Sequence, residues 1–79
     1  NVQRLTRGEF DVLAALVQAD GAVLSRDYLL EVSGSADITA STRSIDVLIS
    51  RIRRKLAGGS LAAAIQTVAG QGYRWRLAS

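Results

Sequence analysis

The 79-residue chain contains no cysteine, no histidine, no methionine and no proline. Without cysteine there are no disulfides, no thiolate nucleophile and no thiolate metal ligand. Without histidine, the commonest metal ligand and the usual acid–base catalyst at neutral pH are missing too. The acidic side chains Asp11, Asp20, Asp27 and Glu31 are scattered over helix surfaces and form no carboxylate pair at catalytic spacing. No phosphate-binding G-x-x-x-x-G-K-S/T loop is present, and Gly70-Gln71-Gly72 lacks the partners of a nucleotide fingerprint. These absences read against an enzyme and imply neither a cofactor nor a metal site. No apolar run reaches the roughly 20 residues of a membrane span, and neither end carries a signal peptide or lipidation motif. The expected location is cytoplasmic, without membrane contact. Because Asn1 stands in place of an initiator methionine, the chain is expected to be a fragment of a longer protein.

What is present suffices for one small domain over residues 1–79. A chain of 8.4 kDa buries roughly 60% of its unfolded surface. A composition of 48% hydrophobic and 22% charged residues is that of a folded globular domain. The net charge of +3 conceals a division. Residues 1–40 hold three cations and six anions, whereas residues 41–79 hold seven cations against Asp46 alone. Nine of the ten cations are arginine, whose planar fork suits phosphates and guanine edges. Such asymmetry points to an anionic partner for one half of the molecule, the alternative being a solvated basic face.

The local pattern predicts three helices and a hairpin. Thr6-Arg7-Gly8-Glu9 has the form of a capping box. It is followed at helical spacing by Phe10, Leu13, Leu16 and Val17, with Gly21 as the stop, giving a helix from about Arg7 to Ala19. Ser25 caps a second helix, about Arg26 to Ser33, with Tyr28, Leu29 and Val32 on one face and Gly34 at its end. Residues 35–41 read as a surface loop. The third helix, about 42–57, is the clearest: Ile45, Ile49, Ile52 and Leu56 fall at i, i+4, i+7 and i+11, with Leu48 on the edge. At 100° per residue, Arg43, Val47, Ser50 and Arg54 lie opposite, and Arg51 lies on the flank. After a turn at Leu61–Ala64, residues 65–77 form a β-hairpin around Gly70-Gln71-Gly72, with Tyr73, Trp75 and Leu77 on one face and arginines on the other. The fold class is α+β, mainly helical.

A helix, a loop and a longer helix with an outward cationic face make the arrangement of a helix-turn-helix reader of double-stranded DNA. Arg43, Arg51, Arg53 and Arg54 supply charge, Val47 suits a thymine methyl, and the Ser50 hydroxyl both donates and accepts. The hairpin is placed to act as a wing on the phosphate backbone. Trp75 is expected to pack rather than to stack on bases, and Tyr73 to be half-buried with its hydroxyl toward a phosphate. Asp46 is expected to form an ion pair within its helix or with a neighbouring one, and Glu9 to serve its cap.

The residues also resemble a family. Leu5-Thr6-x-x-Glu9-Phe10-x-Val12-Leu13, Val23-Leu24-Ser25-Arg26-x-x-Leu29-Leu30, Arg43-Ser44-Ile45-Asp46-Val47-x-Ile49-Ser50-Arg51-Ile52-Arg53-Arg54-Lys55-Leu56 and Ile65-Gln66-Thr67-Val68-x-Gly70-x-Gly72-Tyr73-Arg74 are similar to the winged-helix effector domain of OmpR/PhoB-type response regulators. The resemblance implies a winged helix-turn-helix domain of a bacterial transcriptional regulator of two-component systems, bound to direct-repeat promoter DNA, often as a head-to-tail homodimer. It implies base reading by Arg51 beside Val47, phosphate proximity for Arg43, Arg53 and Arg54, and backbone contact from Thr67 and Tyr73. It also implies RNA polymerase contact through loop 34–41. The chain departs from the family pattern at three places. Ser33 stands where tryptophan is common, Ala69 where arginine often reaches the minor groove, and Leu48 where a polar residue is usual. A minor-groove contact from the wing is therefore expected to be weak or absent. Only Val2 to Leu5 remain of the family's N-terminal sheet. The rival reading from another class is a winged helix that contacts polymerase or another acidic protein and does not itself bind DNA.

Overall fold

A computed structural model describes residues 4–34, 42–56 and 63–76. The expected loop at 35–41, the Gly58-Gly59 helix stop, the start of the Leu61–Ala64 turn and Leu77 lie outside these residues. Three helices, α1 (Arg7–Ala19), α2 (Arg26–Val32) and α3 (Thr42–Lys55), precede two antiparallel strands, β1 (Ile65–Val68) and β2 (Gly72–Trp75). This is the three-helix and hairpin architecture of a winged helix.

The first two helices start where their cap chemistry dictates. The Thr6 hydroxyl accepts from the Glu9 amide at 3.2 Å while the Glu9 carboxylate accepts from the Thr6 amide at 2.8 Å, the reciprocal capping box. The helix ends at Asp20, in the left-handed region at φ 47°, followed by Gly21. At α2 the Ser25 hydroxyl accepts from the Tyr28 amide at 3.1 Å.

The core is one aliphatic cluster with one tyrosine: Val12 and Leu16 of α1, Leu29 of α2, Ile45, Ile49 and Ile52 of α3, and Ile65 and Tyr73 of the hairpin. The α3 stripe is the one its spacing predicts. On α1 the buried stripe runs through Glu9, Val12 and Leu16, with Leu13 beside it. Phe10 and Val17, which share the helical spacing, face outward, and so does Tyr28 on α2. The 100° step explains the correction. Once Val12 and Leu16 face α2 and α3, Phe10 and Val17 are turned away, because a helix of this width buries only one stripe.

The hairpin pairs Ile65 with Trp75, Thr67 with Tyr73 and Val68 with Gly72. Its other edge is extended by a single residue: Leu24 and Tyr73 exchange both backbone hydrogen bonds, at 2.8 and 3.0 Å. The chain entering α2 is thereby fastened to the wing. That approach requires glycine at 72, where φ is +147° and an added Cβ would sit 2.0 Å from the Leu24 carbonyl oxygen.

Local spacing assigns Glu9 to its cap, and the structure adds a partner 46 positions away. Lys55 Nζ, in the last turn of α3, donates to the Glu9 carboxylate at 2.6 Å, and the Glu9 side chain is only 3% exposed. Burial raises the Glu9 pKa, but the Lys55 ammonium and the Thr6 amide and hydroxyl more than offset this, leaving it below its ordinary value.

Two outcomes follow from these contacts. Gly72→Ala should cost more than about 3 kcal/mol, because strain and a backbone clash combine. Gly70→Ala, at φ +74° with nothing within 4 Å, should cost only about 1–2 kcal/mol; urea unfolding of both variants tests the contrast. Since folding lowers the Glu9 pKa, its contribution is complete above the ordinary carboxylate range near about pH 4 and is lost as the pH falls through the folded value. Unfolding free energy measured from pH 7 to 3 should therefore fall less steeply in Glu9→Gln than in the parent.

Candidate nucleic-acid interface

Because Ile45, Ile49 and Ile52 are buried, the opposite side of α3 faces solvent. Arg43, Val47, Ser50, Arg51 and Arg54 are all exposed there. A 14-residue helix is about 21 Å long, and these side chains are spread along it from its first turn to its last. Among the described residues of α3, cations are thus concentrated on the side away from the core.

The other expected site residues form a cluster of their own. Arg53 Nη2 donates to the Ile65 carbonyl at 2.8 Å and to the Thr67 hydroxyl at 3.0 Å. The Arg76 amide bonds the Ala64 carbonyl, so strand alternation points the Ile65 carbonyl away from β2. Arg53 therefore occupies the outer edge of β1, tying wing to helix. Thr67 remains exposed, and with its oxygen accepting from Arg53 its proton is available to another acceptor. The Tyr73 ring is buried rather than half-buried, and its hydroxyl donates to Asp46 Oδ1. The single O–H of Tyr73 is thus turned into the protein and not toward a phosphate. On the hairpin's other face Arg74 Nε donates to Gln66 Oε1 at 2.8 Å, while Trp75 packs against the core.

Of the two ion pairs expected for Asp46, within its own helix or with a neighbouring one, the structure forms the second. Arg26 Nε, at the first position of α2, donates to Asp46 Oδ1 at 2.9 Å. Arg53 shares the angular position of Asp46 but lies seven residues on, about 10 Å along the axis, too far to pair with it. The Arg26 guanidinium also lies 5.2 Å from the centre of the Tyr73 ring, and that of Arg53 lies 5.8 Å from it, both within cation–π range. The Tyr73 hydroxyl and then Arg26 hold the Asp46 carboxyl below its usual range. Burial, followed by the bond to Asp46, pushes the Tyr73 phenol up. Nothing in the spacing of the sequence distinguishes Arg26 from the other cations, since the pair spans 20 positions.

The three departures from the family pattern also have places. The Ser33 hydroxyl donates to the Leu30 carbonyl at 2.6 Å, and the residue borders a cleft of about 350 Å³ shared with Leu30, Leu48, Val47 and Arg51. Leu48 is half-buried against the core, and Ala69 is exposed at the hairpin turn.

Residues 1–75 match the family model described as "Transcriptional regulatory protein, C terminal". The chain belongs to that family. It is 44% identical over 73 residues to the transcriptional regulatory protein PrrA of Mycobacterium tuberculosis, covering 92% of this chain and 31% of the relative. It is 48% identical over 71 residues to the regulatory protein VirG of Agrobacterium tumefaciens, covering 89% of this chain and 27% of the relative. The chain thus spans under a third of these curated relatives. Among solved structures, the Klebsiella pneumoniae RstA DNA-binding domain in complex with the RstA box is similar at a TM-score of 0.72 and 33% identity, covering 92% of this chain and 73% of that one.

Arg53 and Arg54 separate structural from exposed charge. Arg53→Ala should destabilise the domain by about 1–3 kcal/mol, because a strand carbonyl loses its charged donor. Arg54→Ala, at an exposed position, should stay within about 0.5 kcal/mol of the parent. Thermal unfolding followed by circular dichroism distinguishes the two.

Proposed function

We propose that this domain binds double-stranded promoter DNA sequence-specifically as the effector part of a bacterial transcriptional regulator of the response-regulator type. The observation that carries this reading is the exposed face of α3, where Arg43, Val47, Ser50, Arg51 and Arg54 stand opposite three buried isoleucines. An α-helix of this width fits the major groove. Arg51 and Val47 read base edges, Ser50 assists through its hydroxyl, and Arg43 and Arg54 approach phosphates. The hairpin lies on the neighbouring backbone through the Thr67 hydroxyl. Arg53 and Tyr73 act by holding that wing against α3. The similar RstA domain was solved in complex with its own DNA box, which supports this reading over a winged helix that binds only protein.

The domain comprises residues 1–79 of a longer regulator that acts in the cytoplasm, and its role is recognition rather than catalysis. In that setting loop 34–41 contacts RNA polymerase, and two copies occupy direct repeats. Affinity arises largely from arginine–phosphate attraction with release of counterions, and specificity from α3.

Arg51→Ala should lose about 1–3 kcal/mol of discrimination between promoter and unrelated DNA. Arg43→Ala should weaken binding to all sequences alike and reduce the slope of affinity against salt by about one. Gel-shift titrations at two salt concentrations measure both. Unchanged operator binding by Arg51→Ala would remove α3 from the major groove, and absence of DNA binding at either salt concentration would favour the protein-only reading.

A further inference from the structure

The hairpin is pinned to α3 at two points seven residues apart. At one, Arg53 holds the outer edge of β1. At the other, Asp46 accepts from the Tyr73 hydroxyl of β2 and from Arg26 of α2. Seven residues correspond to about 10 Å along the helix axis. Ile65 and Tyr73 already seat the hairpin on the core, and two polar attachments at this separation define its tilt along α3 more narrowly than one would. The Asp46 attachment also includes the start of α2, since Leu24, two residues before Arg26, exchanges both backbone hydrogen bonds with Tyr73.

Asp46 is nevertheless ill suited to a surface that attracts DNA. It is the only anion in residues 41–79, its side chain is 45% exposed, and it adjoins Val47 on the recognition helix. A carboxylate there repels phosphates and neutralises Arg26. Its presence at that place is explained by geometry and not by attraction. We propose that Asp46 is a positioning residue for specificity: through Tyr73 and Arg26 it sets the spacing of wing and recognition helix, so that base and backbone contacts are made together only on the correct site. This rests on the DNA-binding reading above. Non-specific binding depends mainly on total charge and tolerates a tilted wing, whereas specific binding requires both contacts in register.

The two effects therefore have opposite signs, which makes the test sharp. The parent chain selects a preferred sequence from a library of random duplexes, each about three helical turns long, and binding is then measured to that duplex and to a scrambled one. Asp46→Asn keeps the shape and an oxygen acceptor for Tyr73 but removes the charge. It should bind the scrambled duplex several-fold more tightly and the selected duplex more weakly, lowering the specificity ratio at least tenfold. Tyr73→Phe keeps the packed ring and changes no charge. It should lower the ratio in the same direction with binding to scrambled DNA unaltered. Circular dichroism at the assay temperature confirms that each variant is folded. A ratio within twofold of the parent for both variants, including one in which Asp46→Asn tightens both duplexes equally, overturns the positioning role. Failure of the parent to enrich any sequence refutes the DNA-binding reading itself.

Discussion

Burial of Ile45, Ile49 and Ile52 on one side of α3 is the constraint on which the rest of the molecule depends. A helix that commits three isoleucines to a core has no freedom left about its own axis. The side chains displayed to solvent are then those at the complementary angles, which here are Arg43, Val47, Ser50 and Arg54, with Arg51 beside them. The buried isoleucine face and the exposed arginine face are thus two sides of one periodicity. The α1 residues Val12 and Leu16 and the α2 residue Leu29 complete the same cluster, so a change in the packing of any helix alters the angle at which the arginines are presented.

Counting cations overstates what a nucleic acid would meet. Of the five on α3, Arg53 is bound to the hairpin and Lys55 to Glu9. Arg26 of α2 is paired with Asp46. These three work inside the fold as cross-links between helix, helix and wing. Arg43, Arg51 and Arg54 are left exposed on α3, and the division follows from distance: each inward cation sits within reach of a specific oxygen on another element.

The elements themselves were legible because their signals are local. The Thr6–Glu9 capping box, the Ser25 cap and the isoleucine stripe each lie within one or three turns of chain, and they located α1, α2 and α3 to within a residue or two. The hairpin was legible from its glycines and its alternation. Phe10, Val17 and Tyr28 were harder, because helical spacing says which residues share a face and not which face the neighbouring helices cover. Least legible were Arg26–Asp46 and Lys55–Glu9, which join positions 20 and 46 apart. Charge pattern could announce that Asp46 would find a cation, but only the packing of α2 against α3 selects which. The inward turn of the Tyr73 hydroxyl depends on the same packing.

A two-stranded hairpin ordinarily exposes unpaired backbone along both margins, which invites strands from other molecules to join it. Here Leu24 satisfies the Tyr73 amide and carbonyl on one margin, and the Arg53 guanidinium takes the Ile65 carbonyl on the other. The residues that tie the hairpin to the helices thus occupy one position on each margin, while alternation also turns the backbone of Thr67 outward beside the Ile65 carbonyl. What blunts these two margins is therefore an arginine side chain and a single leucine backbone rather than an added strand, so part of the work of a sheet neighbour is done by residues that also position the helices.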